Sequence, residues 1–298
     1  MNRHQRLTFG PMALLVLLCA LWGVQQVAVK VAVTDGMPPL LMACLRSVVA
    51  SVCLTGWMLA REGSATLRAM LLRTALLPGL LLGLCFGLEF LVLYPALALT
   101  TASRGVLFFY TAPFFTALGA HVFLPQERLR LRQGVGLLIA FAGLALAFAD
   151  GFRVGEGSLL GDAMCVLAGF LWGGTTVLIK AHPGLRSAPA SHILLYQVAG
   201  SAPLLLIAAG WHGDFSSPLN ATALAWISLA YQAVIVTFAS YLAWFWLVMR
   251  YQAAAVSGFT FLVPLFGIAT GAALLGETPT PALLLGLVAV AVGMRFLR

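Results

Sequence analysis

The sequence predicts an all-α membrane protein with ten transmembrane helices in two repeats of five. The first observation is composition: 61% of the 298 residues are hydrophobic and 9% are charged, against about 45–50% and about 25% in soluble proteins. The second is a series of apolar runs that are long enough to cross a bilayer. The third is a self-similarity of the chain at an offset of 150 residues. A soluble domain could not hide this much apolar surface, so lipid is the expected solvent.

Ten apolar runs of about 20 residues, the length that a membrane helix needs, follow one another along the chain. They cover residues 11–33, 38–60, 74–98, 102–124, 131–149, 158–180, 190–210, 224–248, 252–275 and 280–297. Turn-forming residues separate the runs, and no connection is long enough for a soluble domain. The first run follows Arg3 and Arg6 as in a signal peptide. It is long enough to span, however, so we interpret it as an uncleaved first helix.

The basic residues predict the orientation of these spans. With the N-terminus in the cytoplasm, 13 of the 17 Lys and Arg residues fall on the cytoplasmic side, as the positive-inside rule describes. These are Arg3, Arg6, Arg61, Arg68, Arg73, Arg128, Arg130, Arg132, Lys180, Arg186, Arg250, Arg295 and Arg298. The periplasmic side holds Lys30, Arg104 and Arg153, and Arg46 lies within the second run. The sequence therefore predicts a multi-pass protein of the bacterial inner membrane with both termini in the cytoplasm.

Several classes of function lack their sequence signals. The five cysteines lie in apolar runs without a CxxC pair, which argues against disulfides and zinc, and no P-loop for nucleotide binding occurs. The nine acidic residues form neither an HExxH nor a paired-Asp motif, which an intramembrane enzyme would need. The net charge of +8 is spread over loops rather than gathered in one basic patch. We expect no metal, no cofactor, no nucleic-acid partner and no enzymatic activity.

The two halves of the chain repeat one another. Trp22-Gly23 and Lys30 of the first run recur at the same spacing as Trp172-Gly173 and Lys180 of the sixth. Further equivalents are Glu127 with Glu277, Gly136 with Gly286, Gly143 with Gly293 and, at an offset of 151, Pro113 with Pro264. The repeats cover residues 11–149 and 158–297. Because each has an odd number of helices, the second must enter the membrane from the opposite side. Such inverted repeats are common in secondary transporters, and duplication without alternating access is the alternative.

A set of short motifs in both halves carries a family resemblance. They are Trp22-Gly23 through Lys30, Tyr94-Pro95-Ala96-Leu97, Thr101-Ala102, Pro113, Glu127-Arg128-Leu129, Ser240-Tyr241-Leu242 through Arg250, Pro264 and Gly276-Glu277. In this order and duplicated, they resemble the EamA branch of the drug/metabolite transporter superfamily. In particular the chain is similar to that family's bacterial amino acid exporters, including the aromatic amino acid exporter.

The resemblance implies two inverted five-helix repeats around a central cavity. Helices 1, 3, 4, 6, 8 and 9 would line the cavity, and helices 5 and 10 would pack outside it. The sequence departs from the family at Gln25, where many relatives carry Asn. The fine contacts with a substrate are therefore expected to differ.

Two charged residues stand out because they lie deep inside apolar runs, where charges are rare and usually functional. Arg46 in the second run and Glu89 in the third each lie about 12 Å from the periplasmic end of the run. Equal depth on successive helices allows a buried ion pair. The alternative is that Glu89 faces the cavity, where it would contact a substrate ammonium group or take up a proton.

Polar and aromatic residues on the cavity helices are the remaining candidates for substrate binding, beside Glu89. They are Gln25, Tyr94, Tyr110, Trp172, Thr175, Thr237, Tyr241 and Trp244. The last three are spaced i, i+4, i+7 and share one helical face. Hydrogen bonding or packing between helices is the alternative role for the whole set. Pro113 and Pro264 are predicted to kink their helices, either as paired hinges or as static bends.

The expected function is export of amino acids, aromatic and other neutral ones included, by alternating access. The alternatives are export of another small metabolite or drug, and passive passage through a channel-like permease. The partners would be a small-molecule substrate and membrane lipid, and the sequence is compatible with a monomer.

Overall fold

The structure is a computed structural model that describes residues 7–71, 73–100, 102–149, 158–216, 221–275 and 281–297. Over these residues the chain is helical and contains no strand. The first half contains α1 (Phe9–Thr34), α2 (Pro39–Glu62), α3 (Ser64–Met70), α4 (Arg73–Leu99), α5 (Ala102–Phe109), α6 (Ala112–Phe123) and α7 (Leu131–Ala147). The second half contains α8 (Leu159–Ala181), α9 (Pro183–Arg186), α10 (Ala190–Trp211), α11 (Ala223–Ala230), a π-helix (Tyr231–Ser240), α12 (Tyr241–Arg250), α13 (Ala253–Gly258), α14 (Leu262–Leu275) and α15 (Pro281–Phe296).

Eight helical segments of the described chain are long and apolar enough to cross a membrane. The predicted spans 131–149 and 280–297 are instead shorter apolar helices, α7 and Leu284–Phe296. α7 has 17 residues, which correspond to about 25 Å at about 1.5 Å per residue. The hydrocarbon core is about 30 Å thick, so the count of ten spans is not confirmed by helix length.

The predicted fourth span, 102–124, is interrupted. Thr111 donates its N–H to the carbonyl of Phe108 three residues back, at 3.2 Å, and α6 begins at Ala112. Pro113 therefore lies in the first turn of α6, where its missing N–H costs no hydrogen bond. The prediction of a mid-helix proline is corrected to a proline that starts a new helix.

The ninth predicted span, 252–275, is interrupted at the equivalent place. A 3₁₀ turn, Phe259–Phe261, separates α13 from α14, and Pro264 is the third residue of α14. A proline removes one backbone donor and crowds the preceding turn. The same local cause thus breaks the helix once in each half of the chain, and a hinge at these places stays a prediction.

The chain forms two compact units. Unit 1 comprises Met1–Val27, Val92–Val177 and Arg250–Arg298, and unit 2 comprises Ala28–Leu91 and Leu178–Met249. Each unit takes residues from both sequence repeats. The first and third boundaries along the chain, after Val27 and after Val177, lie 150 residues apart, the offset of the repeat.

Reciprocal glycine contacts join α7 to α15 in unit 1. A methyl group on Gly136 would lie 2.6 Å from the carbonyl oxygen of Gly293, and one on Gly143 would lie 2.8 Å from that of Gly286. The helices therefore run antiparallel with their backbones touching, as small residues in membrane helices allow. Gly136 and Gly286 are repeat equivalents, and so are Gly143 and Gly293, so each copy makes the same contact with the other.

A second reciprocal contact in unit 1 involves the Trp-Gly motifs. A methyl group on Gly23 of α1 would lie 2.6 Å from Cβ of Phe266 in α14, and one on Gly173 of α8 would lie 2.9 Å from Cβ of Phe115 in α6. Gly173 follows Gly23 by 150 residues, and Phe266 follows Phe115 by 151. The motif glycines thus allow close packing of equivalent helix pairs.

Unit 2 is held by α10, which packs against α2 and α4. A methyl group on Gly83 of α4 would lie 2.6 Å from Cα of Gly200 in α10. The hydroxyl of Tyr196 in α10 donates to the carbonyl of Met70, at 2.6 Å.

Candidate functional site

Arg46 of α2 is among the most deeply buried side chains of unit 2, with 2% of its surface exposed. Its Cζ atom lies 4.4 Å from the centre of the Phe90 ring on α4, a distance typical of a cation–π contact. Its Nε and Nη2 atoms are buried, and neither has a hydrogen-bond partner among the described residues. One face of the guanidinium is therefore covered, while two of its donor nitrogens are unpartnered.

Glu89 of α4 is adjacent to Phe90 and is 5% exposed. Its Oε2 atom is buried, again without a hydrogen-bond partner in the described part of the chain. The carboxylate interacts electrostatically with Arg46. No N–O distance of 4.0 Å or less joins the two described side chains in this structure. The ion pair between Arg46 and Glu89 therefore stays a prediction.

The predicted polar stripe of the eighth span begins in the π-helix. The hydroxyl of Thr237 is fully buried and has no hydrogen-bond partner among the described residues, whereas Ser240 donates to the carbonyl of Val236 at 2.5 Å. Trp244 on α12 is buried and Tyr241 is half-buried. A π-helix shifts each backbone hydrogen bond by one residue, so the α-helical spacing i, i+4, i+7 does not hold across this segment.

Aromatic contacts join α2, α4 and α12 in unit 2. The ring centres of Phe90 and Phe86 on α4 lie 5.1 Å apart, edge to face. Those of Phe86 and Tyr241 lie 6.4 Å apart in the same arrangement. With the contact of Arg46 on Phe90, these contacts run from α2 through α4 to α12.

A second aromatic cluster lies in unit 1 and joins two predicted site residues. The rings of Tyr110 and Trp172 meet edge to face with centres 5.8 Å apart. Phe109 stacks on Trp172 at 5.2 Å with an interplanar angle of 18°. Gln26 of α1 donates through Nε2 to the Tyr110 hydroxyl at 3.4 Å. Three elements, α1, the α5–α6 junction and α8, thus bring an amide, a phenol and an indole together.

The other predicted residues of unit 1 are Gln25, Tyr94 and Thr175. Gln25 and Tyr94 are half-buried. Thr175 donates to the carbonyl of Trp172 at 2.7 Å, which is the back-bonding that threonine commonly makes within a helix. The Thr175 hydroxyl is therefore engaged with its own helix.

An ion pair in unit 1 was not among the predicted site residues. Asp162 of α8 accepts hydrogen bonds from Nε and Nη2 of Arg104 on α5, and from the hydroxyl of Thr100 at 2.7 Å. Arg104 also lies over the Phe108 ring at 5.9 Å. An acidic residue in the sixth apolar run and a basic one in the fourth were the available signals, but sequence cannot tell which residues of different spans meet.

Glu127 anchors the other end of the fourth predicted span. Its Oε2 atom accepts from the backbone N–H of Ala253 at 2.7 Å, at the first residue of α13. Nearby, Gln133 donates to Gln252 at 3.1 Å. The contact supports the structural role of an acid at a helix N-terminus, and the repeat equivalent Glu277 lies outside the described residues.

The sequence profile of the EamA-like transporter family matches this chain twice, over residues 10–149 and 159–298. The chain belongs to the EamA-like transporter family. Two matches that cover nearly the whole chain mean that each predicted repeat carries the family pattern. As a member of this family with eight apolar helices of spanning length, the protein is a multi-pass membrane transporter and not an enzyme.

Relatives of this EamA-like transporter match over nearly their full length. A protein of Salmonella typhimurium named "Probable amino-acid metabolite efflux pump" is 30% identical over 292 residues, which are 96% of this chain and 93% of that protein. A protein of the same name from Escherichia coli is 28% identical, with the same coverage. An uncharacterized transporter of Bacillus subtilis is 31% identical over 93% of this chain and 88% of its own length.

A solved crystal structure has the same fold. It aligns with a TM-score of 0.78 and 18% identity over 97% of this chain and 96% of its own. At this identity the likeness establishes the fold of the EamA-like transporter and nothing about its substrate.

Proposed function

We propose that this EamA-like transporter exports amino acids, aromatic and other neutral ones included, across the bacterial inner membrane by alternating access. The observation that carries the proposal is the full-length similarity to two proteins that are named amino-acid metabolite efflux pumps. The aromatic cluster of Tyr110, Trp172 and Phe109 supports it, because aromatic rings pack well against apolar amino acid side chains.

The proposed architecture has ten spans in two inverted repeats around a central cavity, with both termini in the cytoplasm. The reciprocal glycine contacts of α7 with α15 support it, because two equivalent elements related by a two-fold axis make the same contact twice. The 17 residues of α7 lie at the lower limit of about 17 for a spanning helix. On this proposal α7 and α15 cross the membrane as the fifth and tenth spans.

The proposed substrate contacts fall in both compact units. In unit 1 they are Gln25, Tyr94, Tyr110, Trp172 and Thr175, and in unit 2 they are Glu89, Thr237, Tyr241 and Trp244. Pro113 and Pro264 are the proposed hinges, since helical hydrogen bonding is interrupted just before each of them and such breaks absorb bending.

The test is uptake of labelled amino acids into liposomes that contain the purified protein. Phenylalanine, tryptophan, threonine, methionine and lysine are compared with and without a pH gradient. Saturable uptake that a second amino acid competes away is the expected result, and the effect of the gradient separates proton-coupled from facilitated transport. Uptake that does not saturate would favour a channel-like permease, and no uptake by folded protein would contradict amino acid transport.

A further inference from the structure

We infer that Arg46 binds the carboxylate of the substrate within a zwitterion subsite of unit 2, which also contains Glu89 and Thr237. The inference deepens the proposed function and rests on it for the identity of the transported substrate. The ligand of this subsite is a small molecule that carries both a carboxylate and an ammonium group.

The unpartnered atoms of Arg46 have the arrangement that binds a carboxylate. Nε and Nη2 lie on the same edge of the guanidinium and donate in parallel, which matches the two oxygens of a carboxylate. Both atoms are buried without a hydrogen-bond partner among the described residues. The Phe90 ring at 4.4 Å covers a face of the group, so this contact does not use the N–H donors on that edge. A buried arginine fork without a partner is costly, and a ligand carboxylate would remove that cost.

The charge of Glu89 makes the subsite suited to a zwitterion. Glu89 is 5% exposed, and the Oε2 atom of its carboxylate lacks a partner in the described chain. It lies within electrostatic range of Arg46 without forming a close salt bridge. An amino acid would present its carboxylate to Arg46 and its ammonium group to Glu89. Both buried charges would then be neutralised by one ligand that carries no net charge.

Thr237 adds a hydroxyl that can serve either end of such a ligand. Its oxygen is fully buried and has no hydrogen-bond partner among the described residues. The three groups come from α2, α4 and the π-helix, and α2 packs directly on the π-helix. π-helical segments are frequent at functional sites. The four buried side-chain atoms that lack a hydrogen-bond partner in the described chain all belong to Arg46, Glu89 and Thr237. The polar groups that a ligand could satisfy therefore all lie in unit 2.

The experiment measures equilibrium binding of three ligands that all carry a phenyl ring and differ in their charged groups. Phenylalanine carries both charges, 3-phenylpropanoate carries only the carboxylate, and phenethylamine carries only the ammonium group. Purified full-length protein is compared with Arg46→Gln, Arg46→Lys and Glu89→Gln. Arg104→Gln is the matched control, since that arginine is engaged with Asp162 in unit 1. Melting temperatures confirm that each variant is folded.

The expected result is a loss that depends on the ligand. Arg46→Gln raises the Kd for phenylalanine and for 3-phenylpropanoate by about 10- to 100-fold. It raises the Kd for phenethylamine by less than about 3-fold, because only the two carboxylate ligands lose a charge-assisted pair. Arg46→Lys keeps the charge but not the fork, so it weakens the same two ligands by a smaller factor. Glu89→Gln raises the Kd for phenylalanine and for phenethylamine and leaves the Kd for 3-phenylpropanoate unchanged. Arg104→Gln changes the Kd values of all three ligands by one common factor.

The inference is overturned if Arg46→Gln weakens all three ligands equally, or if folded wild-type protein binds neither carboxylate ligand. Uptake into liposomes separates this outcome from failure of the proposed function. Suppose that phenylalanine is transported, but that Arg46→Gln weakens the binding of ligands with and without a carboxylate to the same degree. The proposed function is then supported and the zwitterion subsite is contradicted. If the carboxylate ligands bind through Arg46 but no amino acid is transported, the subsite stands and the proposed export fails.

Discussion

Two arginines, Arg46 in unit 2 and Arg104 in unit 1, differ in what their guanidinium groups contact. Both lie over a phenylalanine ring, Arg104 over Phe108 at 5.9 Å and Arg46 over Phe90 at 4.4 Å. Arg104 places Nε and Nη2 on the carboxylate of Asp162. Arg46 has the same two nitrogens buried without a partner among the described residues.

A charged residue on an apolar helix can serve the fold or a ligand, and its partners decide which. The Arg104–Asp162 pair satisfies itself with help from Thr100, so it links α5 to α8 without needing anything else. Arg46 and Glu89 interact at a distance and leave atoms unpartnered. Loss of the first pair should therefore reduce stability, whereas loss of a charge from the second should reduce transport.

The largest effect is expected from Glu89→Gln in unit 2. The substitution keeps the shape of the side chain and removes its charge, so uptake of phenylalanine should fall by about 10-fold or more, the loss of one charge-assisted contact. If Glu89 also takes up the proton, the change of uptake between pH 6 and pH 8 should disappear. Both are measured in liposomes, with the melting temperature as the folding control. Unchanged uptake and unchanged pH dependence would show that Glu89 is neither a substrate contact nor a proton site.

The opposite outcome is expected from Asp162→Asn in unit 1. Arg104 loses the carboxylate that pairs with it, so the melting temperature in detergent should fall by at least about 3 °C, while the apparent affinity for substrate stays within about 2-fold. A cycle with Arg104→Gln tests the coupling, because the double variant should be no less stable than either single one. Additive losses in the cycle, or a loss of affinity without a loss of stability, would contradict the division between the two pairs.

A smaller loss of stability is expected from Glu127→Ala. Its carboxylate accepts the N–H of Ala253 at the start of α13, and loss of such a helix-capping contact costs about 1 kcal/mol. Glu127→Gln retains an acceptor oxygen and should recover part of this loss. The free energy of unfolding in detergent is the measurement. Equal stability of wild type and Glu127→Ala would mean that the contact with Ala253 does not hold α13.

Length and apolarity made most of the fold predictable, because a helix of about 20 apolar residues has few alternatives in lipid. The repeat was visible in the Trp22 and Trp172 motifs, whose glycines make equivalent close contacts. The end of α7 was not predictable, because the helix stops at Ala147 within a run that stays apolar to Ala149. The π-helix was missed as well, because a one-residue shift in hydrogen bonding has no signature in composition.

The candidate site was predictable only in part. Counting residues from the helix ends placed Arg46 and Glu89 at similar depth, and both lie buried in unit 2. Depth does not give the rotation of a helix about its axis, so the contact of Arg46 with Phe90 was not foreseen. The pairing of Arg104 with Asp162 was missed for a related reason, because it joins spans that are distant in sequence.

The smallest effect is expected from Thr237→Val in unit 2. Valine keeps the shape and removes a buried hydroxyl that has no partner among the described residues. The free energy of unfolding should therefore stay within about 0.5 kcal/mol or rise slightly, since an unpartnered polar group is costly to bury. If the hydroxyl binds substrate, the Kd for phenylalanine should rise by about 2- to 5-fold, the value of one neutral hydrogen bond.

Ser240→Ala is the matched control in the same π-helix, because the Ser240 hydroxyl already donates to Val236. That variant should lose a little stability and leave the Kd unchanged. The two hydroxyls lie three residues apart in sequence, and they differ in whether a partner within the protein is present. A loss of stability in Thr237→Val with an unchanged Kd would mean that Thr237, like Ser240, stabilises the helix itself. The proposed subsite would then consist of Arg46 and Glu89 alone.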